Sequence, residues 1–281
     1  MKRKDRIKLD FTRNWNLPGK ERLSNWLKPS ADTIAALKNG ITWLNGEDLA
    51  IFTTADNYIE WTLLSVGTYE EEINKLIRIS LKPGDNAIDI GANIGLQSIR
   101  MAQSVTGAGR VFSFEPLLHL QNKFKRNVAL NKFENVTLFP FALSDAADEI
   151  TYSINENNWN QGTFSLQHKN AGTTAQQIVI KVADQLTEIQ ALQHLELIKI
   201  DVEGFEFQVI KGLEKTIKKH RPRIIFEYDN NYWNANGQDI GECFDFLKGM
   251  NYHLYQITSV GCELIKNANE IKGGNLFCMQ L

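Results

Sequence analysis

The chain is poor in cysteine: Cys243, Cys262 and Cys278 are the three in 281 residues, odd in number and far apart. No CxxC pair and no histidines at zinc-ligand spacing accompany them, which excludes a disulfide scaffold or a zinc finger and reads as reduced core thiols. An excess of one charge is lacking too. Lysine and arginine number 31 against 33 aspartates and glutamates, so no global field draws the protein to nucleic acid or to an anionic membrane. No apolar run approaches the roughly 20 residues of a membrane span. The basic opening MKRKDRIKLDF runs into polar sequence without the apolar segment of a secretory signal. Repeats and low-complexity tracts are absent as well. These absences lead us to expect a soluble, cytoplasmic protein, and a hydrophobic content of 43% lets it bury a sizeable core.

What is present is an alternation. From about Lys82, short β-branched runs exchange with helical stretches, the pattern of a parallel sheet flanked by helices. The strands expected are Asn86 to Ile90, Arg110 to Phe114, Asn135 to Phe141, Glu196 to Ile200 and Arg223 to Tyr228. Tyr252 to Thr258 and Asn275 to Gln280 follow as a late pair, with antiparallel pairing the natural expectation. Two segments interrupt the rhythm. Residues of about 146–182 have period-two ends around an Asn-rich middle and read as an inserted hairpin. Ahead of the core, Asn45-Gly46 between apolar residues is a short-range hairpin signal. The division expected is an N-terminal extension over 1–66, packed on a domain over 67–281.

The first strand of the alternation ends in DIGANIG. A strand leading into a glycine turn sets backbone N–H groups and a helix N-terminus beside a ligand. Dinucleotide folds write this turn GxGxxG, whereas here Asn93 replaces the middle glycine between Gly91 and Gly95. Its bulk disfavours a pyrophosphate, and hence a nicotinamide-dependent oxidoreductase. A ligand with a carboxylate and an ammonium suits Asp89 and the turn better. About 20 residues on, an acid at the end of the second strand is placed for ribose hydroxyls, and Glu115 stands there. Ser144 and Asp145, after the third strand, can meet an adenine edge. Each residue has an ordinary structural alternative: Asp89 as a cap, Glu115 before a helix, Asp145 opening a loop. Together, at strand ends of one sheet, they favour an adenosyl ligand.

The stretches GTYEEEINKLIRISLKPGDNAIDIGANIGLQSI, FSFEPLLHLQNKFKRNVALN and FALSD, then LIKIDVEGFEFQVIKGL and PRIIFEYDN, resemble the FkbM-type S-adenosylmethionine-dependent methyltransferases. The likeness covers roughly residues 67–230. It implies a class I methyltransferase (Rossmann-like) α/β fold: a seven-stranded, mostly parallel sheet with an antiparallel last strand and helices on both faces. It also implies S-adenosyl-L-methionine as donor and a hydroxyl of a sugar, glycan or other small metabolite as acceptor. Carried over position by position, Asp89, Gly91, Asn93 and Gly95 hold the methionine side, Glu115 the ribose, and Ser144 with Asp145 the adenine side. Asp201, Glu203 and Gly204 match the motif after the fourth strand.

An alcohol is a poor nucleophile, so a base or a divalent cation must help remove its proton. Asp201, Glu203 and Glu227 are the candidate acids for that task, although Glu203-Gly204-Phe205-Glu206 can also simply start a helix running to Lys219. A cation stays open, with no ligands assigned to it. His119, His168, His194, His220 and His253 belong to no motif. Trp159, Phe164, Tyr228, Tyr232 and Trp233 suit a carbohydrate ring or, equally, core packing. No nucleic-acid partner and no membrane span are expected, and a homo-oligomer is left open. A non-catalytic adenosyl-binding module is the remaining alternative; it predicts loss of acids after the fourth strand, where Asp201 and Glu203 are retained.

Overall fold

A strand buried on both faces reads as a continuous apolar run, and LIKI and NAIDI do so because helices cover them on either side. The computed structural model describes residues 3–13, 22–23, 26–27, 29–37, 40–44, 49–54, 57–154 and 174–281. Its centre is an eight-stranded sheet. β3 (Asn86–Ile90), β4 (Arg110–Phe114) and β5 (Val136–Phe139) step outward to one edge. The chain then crosses back to β9 (Leu197–Ile200), on the other side of β3, and continues to β10 (Arg223–Tyr228). All of these pair in parallel. β13 (Gly274–Met279) lies antiparallel between β10 and β11 (His253–Thr258), and β12 (Gly261–Ile265) forms the edge beyond β11. The order gives the Rossmann-like class I methyltransferase sheet with its antiparallel closing strand. One strand exceeds the expected seven: GCELI carries no clean alternation, and it is identified only by its pairing with β11.

On one face, Ile88, Ile198, Ile200, Ile224 and Phe226 pack against Val209, Ile210, Leu213 and Ile217. These come from α8 (Glu206–Gly212), α9 (Glu214–His220) and, in Leu213, the break between them. A single helix was expected here. Gly212 brings its backbone so near Ser144 that a Cβ would lie 2.2 Å from the Ser144 carbonyl oxygen, and the helix breaks at Leu213. On the other face, Ala87, Val111, Leu197 and Ile225 meet Ile73 and Ile77 of α4 (Glu71–Ser80) and Met101 and Val105 of α5 (Leu96–Val105). Cys243 and Cys278 are core thiols as expected, but Cys262 on the edge strand is exposed.

The inserted segment builds a separate small sheet, in which β8 (Thr174–Val182) pairs with β6 (Ala142–Ser144) in parallel and with β7 (Asp148–Ile154) antiparallel. Trp159, Phe164 and His168 lie outside the described residues. At the N-terminus, β1 (Ile41–Leu44) and β2 (Ala50–Thr53) pair antiparallel, and the Asn45-Gly46 turn that prompted the hairpin reading also lies outside them. Ile51, Leu63 of α3 (Tyr58–Val66), Leu120 of α6 (Leu118–Leu130) and Ile180 share one buried cluster. The segment before residue 67 and the insertion therefore meet over the same end of the sheet.

Candidate active site

In an open α/β sheet the crevice forms where the strand order reverses, at the carboxyl ends of the strands. Here that point lies between β3 and β9. A cavity of about 270 Å³ opens there, walled by Gly91 and Asn93 after β3, Glu115 after β4, Asp201 and Glu203 after β9, Glu227 in β10 and Asp229 just after it.

The loops that build this wall are locked together. A Cβ on Gly91 would lie 1.8 Å from the Asp201 carbonyl oxygen, and φ is +78° at that residue, so only glycine lets the two loops cross. The Asp201 N–H donates to the Ile90 carbonyl at 3.0 Å, tying them from the other side. Gly95 serves packing, since a Cβ there would meet the Phe124 ring at 2.8 Å. Glu115 is 4% exposed. Its carboxylate accepts the N–H of Asn93 at 2.9 Å and that of Leu117 at 2.8 Å. Burial pushes it up to about 7 against those two hydrogen bonds.

Asp201 accepts from the Lys199 ammonium at 2.9 Å, and the lysine side chain is only 4% exposed. Burial works against the Lys199 charge, but Asp201, Glu70 and Asp89 overcome it and hold its proton more tightly than usual. Lys199 offsets the other acids only in part. Burial, then Asp201 and Glu206, push Glu203 up to about 9. Asp201, then burial and Glu203, push Glu227 up to about 10. Glu70 is raised as well, by burial and then Asp201, against the pull of Lys199. No lysine, arginine or histidine stands among the described residues that line the cavity. Among the described residues no group of three or more histidine, cysteine, aspartate or glutamate side chains is arranged to hold a metal.

Three of the seven non-glycine residues with positive φ among the described residues lie here. Glu70, Asn93 and Glu203 take positive φ of 52°, 51° and 55°, and all three line the cavity. Asparagine tolerates this conformation, but at Glu70 and Glu203 it costs about 1–3 kcal/mol each and persists only where the surroundings enforce it. Glu206, not Glu203, steadies the loop between them: it accepts the N–H groups of Val202 at 2.8 Å and Gly204 at 3.0 Å. The side chain of Glu203 is left to the cavity.

Of the residues expected from the sequence, Gly91, Asn93, Glu115, Asp201, Glu203 and Glu227 come together on the wall, whereas Asp89, Gly95, Ser144 and Asp145 do not. Asp89 is fully buried beneath the turn and takes a hydrogen bond from Ser98. Strand alternation turns it toward the α5 face rather than to the ligand side. Asp145 pairs with Lys211 at 2.7 Å, and Ala142 and Leu143 form the wall in its place. Tyr232 lines the cavity, but Tyr228 and Trp233 pack against each other in the core, their rings edge-on at 5.2 Å. His194 is engaged at Gly84 and Asn86, and no histidine reaches the wall among the described residues. Asn57, Tyr58, Tyr69 and Glu70 line the cavity without having been singled out. The acids Glu70-Glu71-Glu72 read as the ordinary negative start of a helix, and that reading hides the first of them.

Residues 89–254, more than half of the chain, match the Methyltransferase FkbM domain. The chain belongs to the FkbM methyltransferase family. Among curated relatives, Methyltransferase sdnD of Sordaria araneosa is 28% identical over 156 residues, 46% of this chain and 60% of that protein. Methyltransferase 1 of Beauveria bassiana is 27% identical over 160 residues, 50% of this chain and 64% of that protein. The chain thus spans less than two thirds of the length of these relatives. A solved Methyltransferase FkbM from Methylobacillus flagellatus KT is 14% identical, covers 92% of this chain and 60% of its own, and superposes with a TM-score of 0.43. Membership in the FkbM family sets aside the nicotinamide alternative.

The wall fits the donor such a family implies. The buried Glu115 carboxylate on the wall would accept from ribose hydroxyls. Phe114, Leu117, Leu120, Ala142 and Leu143 give the wall an apolar part that would take a purine, and the turn at Gly91 to Asn93 with Glu70 would take the amino-acid end.

Proposed function

We propose that the protein is an S-adenosylmethionine-dependent O-methyltransferase acting on a hydroxyl of a sugar, glycan or other small metabolite. The observation that carries this reading is a single cavity that joins the adenosyl-type wall, around Glu115, to a carboxylate wall of Asp201, Glu203 and Glu227. When bound, the donor supplies a methyl group already activated on a sulfonium. The chain's own residues then have to hold the acceptor oxygen in line and take its proton. Asp201 is held by Lys199 and fixes the loop. Glu203 and Glu227, with their raised affinity for protons, are the stronger bases once ionised. Tyr58 and Tyr232 on the cavity wall supply flat faces, which supports a ring as acceptor. The lack of basic side chains among the described wall residues supports an acceptor without phosphate.

Titration calorimetry with S-adenosylmethionine and, separately, NAD tests the donor. Saturable binding of the sulfonium compound is expected, weakened tenfold or more by Glu115→Ala, since a hydrogen bond to a charged group is worth about 1.5–3 kcal/mol. Binding of NAD alone overturns the reading. Donor binding without turnover on any of a panel of glycans and small alcohols favours the non-catalytic module.

A further inference from the structure

Glu203 and Glu227 pose a problem for any mechanism that uses them. Both line one cavity with Asp201, whose charge acts on each of them; Glu203, Glu70 and Glu206 add to the field at Glu227, and Glu206 and Asp229 to that at Glu203, where Lys199, already bonded to Asp201 at 2.9 Å, is the opposing cation. Carboxyls gathered on one wall with no basic side chain among the described lining residues hold their protons above the ordinary carboxylate range, and a carboxyl that keeps its proton cannot accept another. A cation entering the cavity removes the obstacle, because an opposite charge within about 4–6 Å lowers a carboxyl pKa by about 1–3.

We propose that this site exchanges a proton for the donor's positive charge, so that arrival of the sulfonium ionises the Glu203–Glu227 pair and thereby creates the base for the acceptor hydroxyl. The proposal rests on the methyltransferase reading above and adds to it which acids act and when. The atoms balance without a further reagent. The acceptor O–H bond breaks and its proton passes to the carboxylate; the oxygen forms a bond to the methyl carbon as the S–CH₃ bond breaks, and the sulfonium becomes a neutral thioether. The site begins with a cation beside a carboxylate and ends with a neutral sulfide beside a carboxylic acid, its total charge unchanged. Loss of the sulfonium charge also raises the affinity of the pair for the proton it has just received, which opposes the reverse reaction.

The exchange separates two ligands that differ by one methyl and one charge. Binding of S-adenosylmethionine and of S-adenosylhomocysteine is followed by calorimetry at pH 8 in two buffers of different ionisation enthalpy, which counts protons released. About 0.5–1 proton per site is expected for the methylated ligand and less than half of that for the other. Glu227→Gln, of nearly the same shape, is expected to keep donor binding while proton release falls at least twofold. Equal release for both ligands, release with neither, or full release in Glu227→Gln overturns the exchange and leaves the donor assignment standing. Failure of both ligands to bind overturns the donor assignment itself, and the exchange with it.

Discussion

Glu203 carries two costs at one position. Its backbone sits at φ 55°, where side chains other than Asn, Asp or Gly are disfavoured, and its carboxyl is held among Asp201, Glu206 and Asp229. Residues that destabilise a fold in this way are retained where the chemistry needs them. Glu203→Asn keeps a residue that tolerates the left-handed conformation and removes the carboxylate. It is expected to raise unfolding stability by about 0.5–2 kcal/mol and to slow methyl transfer at least tenfold. Urea unfolding and turnover measured on the same preparation decide it. A variant less stable than its parent shows that Glu203 holds the loop in place instead of being held by it.

The N-terminal part of the cavity wall depends on one helix. The Asn127 and Asn131 side chains of α6 accept the N–H groups of Phe52 and Ala50 on β2, at 2.7 and 2.8 Å, replacing a strand partner. One turn earlier on α6, Lys123 forms an ion pair with Glu60, which is fully buried and also takes hydrogen bonds from Thr53, Thr54 and Asn57. Burial alone raises the Glu60 carboxyl, but Lys123 and these hydrogen bonds reverse the effect and hold it below 4.5. A depressed carboxyl stabilises the fold at pH values above its unfolded pKa and loses that contribution as pH falls through the folded one. Lys123→Met leaves a buried charge uncompensated and is expected to cost about 3–5 kcal/mol at pH 7. The deficit shrinks toward pH 4 as Glu60 takes a proton, and adding Glu60→Gln restores most of it. A deficit unchanged between pH 7 and pH 4 excludes Glu60 as its source. How much could be read beforehand follows from the same geometry. The strands NAIDI, RVFSF and RIIFEY, and the wall residues Gly91, Glu115 and Asp201, were legible because runs of two-face burial and strand-end acids are local patterns. Asp89 lies off the wall, and a strand buried on both faces does not reveal in its sequence which side meets the cavity. Asp145 turned away because Lys211, 66 positions along the chain, claims it. Tyr58 reaches the cavity with the N-terminal segment and Glu70 by a hydrogen bond from Gln97 of α5, long-range facts with no local signature.

At the scale of the molecule, the near balance of charge, a net of −2, conceals an internal imbalance. Glu203 and Glu227 are pushed up to about 9 and 10, Glu115 and Glu206 to about 7, and Asp89 and Glu70 are raised too, mainly by burial except at Glu227, where Asp201 dominates. A carboxyl whose folded pKa exceeds its unfolded value binds a proton more tightly in the folded state. Its contribution is complete below the unfolded value, near 4.5 for glutamate, and is lost as pH climbs through the folded one. The window for this protein therefore runs from about pH 5 to the folded values near 7, 9 and 10. Glu60 and Asp5, whose pKa values are lowered, act in the opposite sense but only below about pH 4.5, so they do not cancel it. The ligand-free protein is expected to be most stable on the acidic side of neutrality and to lose at least about 1.4 kcal/mol, the equivalent of one proton exchanged over one pH unit, between pH 6 and pH 9. Urea midpoints at those two values measure it. Saturating S-adenosylmethionine, by supplying the missing positive charge, flattens the slope. A midpoint that stays constant or rises with pH means that the cavity acids are already ionised in the empty protein, and it removes the electrostatic reason for a cationic donor to bind there.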